Sequence, residues 1–260
     1  MTQIKTCMSR FLNRNSFFAG IFTLVSLVCF AVRGQDVKSA DTKDAADSFD
    51  IRKASFFLPQ PLPASKYSHM IGLDYVVVPR EWTLDIINAP MLYYAGKFTL
   101  PYGFNVQTSL STLFVSYRFL LGPYWNYSIN NFSFGAGWQV AFNYGILNQF
   151  GFNTKLVIWE QEPSLSVGYS FKKFSLTLKA STIWTNAYYE NQGGHVVPHK
   201  NSFDDGYSVG AIIEQRLWKN RILSFGAKTS FLRYHIIAWP AFPVNQYRYW
   251  VPEFFIGLSL

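Results

Sequence analysis

The residues with evident chemical potential are few and scattered. His195 and His199 stand four apart, with Asp204 and Asp205 a few positions on. On a helix that spacing would set two imidazoles on one face, where they could hold zinc. Gly193, Gly194 and Pro198 break any regular helix there, and no Glu follows His195 directly. The stretch reads instead as a solvated loop, and no metal set is assigned. His69 and His235 are isolated. No phosphate loop, dinucleotide fingerprint or nucleophile–base spacing occurs, so the sequence implies no cofactor and names no catalytic residue.

Other charges obey a rule of position. Asp74, Lys97, Lys179, Glu214, Arg216, Lys228 and Glu253 all fall on the polar phase of a two-residue alternation, as do Gln107, Asn126, Gln139 and Asn143. The stretch "NNFSFGAGWQVAFNYG", Asn130 to Gly145, shows the alternation most plainly. Phe132, Phe134, Ala136, Trp138, Val140, Phe142 and Tyr144 occupy one phase, and small or polar residues the other. Period two makes a strand with one apolar and one polar face. It is also longer than the about five or six residues usual in soluble proteins.

Ten such strands are expected, near 67–78, 91–100, 104–115, 119–129, 132–145, 163–171, 174–188, 206–218, 222–236 and 247–260. Their connections fix which faces coincide. Asn130–Asn131 joins Ile129 to Phe132, and Lys172–Lys173 joins Phe171 to Phe174. Residues flanking a two-residue turn pair directly and share a face. Pro101–Gly103 and Lys219–Arg221 act as three-residue loops that keep the same phase, with Gly103 suited to a left-handed position. Four turns thus hold one apolar face in register. The other connections, about 79–90, 146–162, 189–205 and 237–246, are longer; the link near 115–119 is short, and Gly122–Pro123 is an alternative bend. Short turns alternating with long loops are the signature of a transmembrane, antiparallel up-and-down β-barrel of about ten strands, eight to twelve being compatible.

Composition agrees. The chain is 49% hydrophobic and 19% aromatic but only 15% charged, below the roughly 25% of soluble domains. Residues 1–34 read as a signal peptide, with Lys5, Arg10 and Arg14 before the apolar run Phe17–Val32. Both cysteines, Cys7 and Cys29, leave with it, so no disulfide framework is expected. Four basic residues leave too, which roughly halves the net charge of +8. No basic run remains, and nucleic-acid binding has no support. Residues 35–66 read as a disordered periplasmic tail and linker, and 67–260 as the barrel.

From 67 to 260 the chain resembles outer-membrane β-barrel proteins of Gram-negative bacteria. Its last strand, "YRYWVPEFFIGLSL", resembles their C-terminal assembly signal, with Trp250, Phe254, Ile256, Leu258 and Leu260 alternating to the end. Such signals usually finish in an aromatic residue, where this one has Leu260. The resemblance implies residence in the outer membrane, among its lipids, after insertion by the barrel assembly machinery. The protease barrels use Asp-x-Asp and Asp-His pairs, and this chain has neither at a strand end. The lipid-hydrolysing barrels use His-x-Ser, whereas Met70 and Ile71 follow His69. Three roles follow in order of preference. The first is a non-enzymatic surface or structural protein whose outer loops bind a ligand the sequence does not identify. The second is a narrow pore lined by the seven inward charges. The third is a barrel-embedded hydrolase.

Overall fold

The computed structural model describes residues 50–80, 87–148, 153–218, 221–233 and 247–260. The signal peptide expected over 1–34 and most of the tail lie outside them. So do His235 and the connection at 237–246. Ten antiparallel strands form a single closed ring. They are β1 (Tyr67–Val78), β2 (Ile87–Thr99), β3 (Phe104–Thr112), β4 (Ser116–Ile129), β5 (Phe132–Leu147), β6 (Thr154–Ser170), β7 (Phe174–Gln192), β8 (His195–Trp218), β9 (Arg221–Leu232) and β10 (Tyr249–Ser259). Neighbours in sequence are neighbours in the sheet, and β1 closes on β10 from Met70 opposite Ser259 to Val76 opposite Glu253.

The short turns sit where the sequence puts them. Ile129 pairs with Phe132 across Asn130–Asn131, and Asn130 takes the left-handed conformation at φ 54°. Phe171 donates its N–H to the Phe174 carbonyl, and the two rings stack at 4.2 Å. Pro101–Gly103 is a short 3-10 turn in which both Tyr102 and Gly103 are left-handed. At the fourth turn Arg221 already belongs to β9, opposite Trp218. The ambiguous link resolves as Leu113–Val115, with Phe114 left-handed at φ 64°. Gly122–Pro123 is no bend: β4 runs straight through it. Pro123, which cannot donate a ladder bond, sits opposite Val106 on the outward face.

The expected long loops at 146–162 and 189–205 are corrected. β6 already starts at Thr154, and β7 and β8 meet at a two-residue turn, Gly193–Gly194, with φ of 57° and 88°. These strands are 17, 19 and 24 residues long, against the roughly 9–11 that cross a bilayer. Their ends therefore stand as a sheet beyond the membrane. A bulge hides this in the sequence. Thr185 pairs with Glu160 and Ala187 with Trp159, so Asn186 is an extra residue. It moves the buried phase of β7 from odd positions to Tyr188 and Glu190.

The outer wall is apolar. Leu73, Leu92, Phe119, Leu121, Phe134, Val140, Leu165, Leu178, Val209 and Ile256 are all exposed. Soluble monomers keep apolar patches to a few hundred Å², and this one encircles the barrel. Aromatic girdles flank it. Trp125, Tyr127, Phe132, Tyr169, Phe171 and Phe174 form ring contacts at the short-turn end. Tyr207, Phe231 and Trp250 cluster at the other. His69 belongs to the first girdle, between Tyr67 and Tyr94. The closed ring satisfies the backbone without water, and the fold is a transmembrane β-barrel.

Candidate functional site

The lumen is where the polar phase of every strand converges, and the chain itself enters it. Asp50–Lys66, expected as an outside linker, lies against the barrel's inner wall at the short-turn end. The segment starts with α1 (Ile51–Ala54), one helical turn capped by Asp50. The Arg52 guanidinium beside Asp50 holds that carboxyl below its usual range. Ser55 then meets Ser175 of β7 at 3.0 Å.

The next three residues are gripped by one carboxylate. Phe56, Phe57 and Leu58 each donate a backbone N–H to Glu214, at 2.7, 3.0 and 3.1 Å. From the opposite wall Lys97 Nζ donates to the Phe56 carbonyl at 2.5 Å, with its ammonium 5.2 Å from the Phe56 ring centre. Glu214 and Lys97 are fully buried. Three N–H donors answer the carboxylate's charge, as burial of an ion demands. Phe56 packs with Met70 and Ala95, and Phe57 with Phe255 at 5.2 Å.

Two glycines make the space. A Cβ on Gly168 would stand 2.5 Å from the Leu58 side chain, and one on Gly135 would stand 2.7 Å from Pro59. A side chain at either position would compete with the inserted segment for the same volume. Gly137 likewise receives the ring of Tyr124, and Gly226 that of Phe255.

Beyond this plug lies a cavity of about 190 Å³, floored by Phe56, Phe57 and Pro59. Asp74, Lys179, Lys228 and Glu253 line it. Lys228 and Glu253 form an ion pair at 2.8 Å, and Ser230 also donates to Glu253. Asp74 stands two residues before Val76, the partner of Glu253, on β1. Lys179 lies over the Tyr124 ring at 5.0 Å. Arg216 does not join them: it is exposed at the short-turn mouth, where the register with β9 slips. Gln107, Asn126 and Gln139 line the cavity; Asn143 is buried beside it and donates to Glu160 at 2.9 Å.

Arg118, Glu160 and Glu162 are among the inward charges that escape the sequence reading. Arg118 contacts both Glu160, at 3.4 Å, and Glu162. All three are buried. Arg118 precedes the assumed start of its strand, and both acids fall in an assumed loop. The strict even phase of β6 from Thr154 was the available signal. Toward the loop end the inner wall turns apolar, and Val76, Val78, Met91, Ile183, Leu232 and Val251 pack as one cluster.

The histidine loop proves to be an extended arm. Residues 195 and 199 both lie in β8, so four strand residues at about 3.4 Å each separate them, too far to share an ion. Asp204 pairs instead with Arg248, and buried Asp205 accepts from the Arg233 N–H at 3.3 Å. Among the described residues no group of three metal-binding side chains forms.

No protein-family model matches the chain, and no curated protein is similar to it. Solved structures with similar folds are barrels at low identity. Neisserial surface protein A is 13% identical over 75% of this chain and 96% of that one, with a TM-score of 0.36. The KdgM porin is 10% identical over 72% and 97%, at 0.33. The translocator domain of the autotransporter NalP from Neisseria meningitidis is 8% identical over 74% and 86%, at 0.36. Likeness this distant says nothing of ligand or activity. The class rests on the closed ring and its apolar exterior.

Proposed function

We propose that this chain is an exported, integral outer-membrane barrel, closed by its own N-terminal segment and working through the sheet that projects beyond its loop end. The observation that carries the closed lumen is the grip of Glu214 on three successive backbone N–H groups. An open pore has no use for a buried carboxylate committed to its own chain. The projecting ends of β6, β7 and β8 supply the outer surface, and a partner there would meet backbone edges and polar side chains. Outer-membrane lipids surround the wall, and the barrel assembly machinery inserts the chain through its last strand.

Planar-bilayer recording of the refolded protein tests the closure, with folding verified by heat-modifiable gel migration. The folded barrel is expected to be silent, and reproducible discrete steps would overturn the reading. The polar cavity favours a second reading, a narrow pore that conducts when the segment withdraws. On that reading, deleting residues 50–63 produces steps, and Lys179→Glu in the deleted form moves the reversal potential toward cation selectivity. A deleted form that folds and stays silent would exclude the pore.

A further inference from the structure

The cavity between the plug and the loop-end apolar cluster has an unusual charge pattern. Six charged side chains line it: Asp74, Glu162 and Glu253 against Arg118, Lys179 and Lys228. Four are committed to partners. Arg118 contacts Glu160 and Glu162, and Lys228 pairs with Glu253. Asp74 and Lys179 form no ion pair among the described residues. They stand on well-separated strands, β1 and β7, with β10, β9 and β8 between them around the ring. The register lays Lys179, Gly210, Lys228 and Glu253 in one row across those strands, ending at Val76 beside Asp74.

The rest of the wall suits an apolar body. Phe56, Phe57, Tyr93, Tyr124 and Phe255 all face the cavity. Tyr124 is fixed by hydrogen bonds to Gln139 at 3.0 Å and Ser164 at 2.7 Å. Asn126, buried, lines the same space, and its Oδ1 has no hydrogen-bond partner among the described residues. A cavity holding equal numbers of acids and bases favours a ligand of no net charge. One spare carboxylate and one spare ammonium, set apart, favour a ligand carrying both signs.

We propose that the luminal cavity binds a small zwitterion with an apolar body, of the α-amino-acid type. Its ammonium lies at Asp74 and Glu253, its carboxylate at Lys179, and its side chain against the aromatic floor made by the plug. The plug is then part of a binding site as well as a closure. This does not depend on the surface role proposed above, because the site is wholly internal.

L-phenylalanine is the probe, titrated calorimetrically into the refolded protein in detergent micelles, with empty micelles as reference. Saturable one-site binding is expected. Asp74→Asn and Lys179→Met should each weaken it about tenfold or more. Phenylacetate should respond to Lys179→Met alone and phenethylamine to Asp74→Asn alone. Heat-modifiable migration establishes that each variant is folded. Absence of saturable binding at millimolar concentration overturns the proposal. So does binding that both variants leave unchanged, which would place the ligand on the outer wall or in the micelle. Conductance is recorded separately, so a silent barrel that binds nothing refutes this site and leaves the closure standing.

Discussion

Glu214 is fully buried, and its opposite charge, Lys97, is turned to the Phe56 carbonyl, so its ionised form depends chiefly on the three N–H donors of the plug, with a longer contact from the Ser224 hydroxyl at 3.4 Å. Each charge-assisted bond of this kind contributes about 1.5–3 kcal/mol. Removing one member of a buried charged set costs about 3–5 kcal/mol, because the partner charge stays behind. Glu214→Ala is therefore expected to destabilise the barrel by about 3–5 kcal/mol, read from urea unfolding in micelles. It should also expose the 50–66 segment to added protease. Unchanged stability together with an uncut segment would show that the grip is incidental. Arg118 is a second case. Arg118→Met leaves Glu160 and Glu162 buried side by side, and a loss of similar size is expected at neutral pH.

At the level of elements, the plug and the wall are fitted by volume. Gly135 and Gly168 face it on β5 and β6, and a Cβ at either enters space held by Pro59 or Leu58. Gly135→Val is expected to expel the segment without breaking a strand, since valine suits strands. The measurement is protease cutting within residues 50–66 while the barrel keeps its heat-modifiable shift; protection equal to the parent would count against the fit. The glycines are visible in the sequence as a small inward phase, but what they receive is not. The segment "FFLPQPLP" reads as a Pro-rich spacer. Its three adjacent apolar residues, Phe56, Phe57 and Leu58, were the sign of a buried anchor. Strands whose turns are tight were legible, because a two-residue turn ties two alternations into one register; the end of β4 at Ile129 and the start of β5 at Phe132 are placed to the residue. The loop-end extensions were not. Glu160 and Glu162 put charge on the inward phase inside the barrel, Glu190 adds another further toward the loop end, and the bulge at Asn186 reverses that phase midway along β7. Charge and a broken period together look like loop.

For the whole molecule, the decisive question is what solvent the outer wall meets. Leu121 and Val140 pair at mid-height, between the girdle at Trp125 and Tyr127 and the loop-end aromatics Tyr117 and Tyr144. If hydrocarbon lies against them, an arginine at 121 must carry its charge into the bilayer centre, at a cost of about 2–4 kcal/mol. An arginine at 127, in the girdle, can reach the headgroups and should cost about 0–1 kcal/mol. Both side chains point outward and are exposed, so neither change disturbs the lumen. Leu121→Arg and Tyr127→Arg are to be compared by equilibrium folding into phospholipid vesicles, and then in a mild detergent. The position dependence should be clear in vesicles and shrink in the micelle, whose thinner, deformable shell lets either side chain find water. Equal, small effects at both positions in vesicles would mean that the apolar wall faces something other than lipid. The girdles, the strand lengths and the closed ring would then need a different cause.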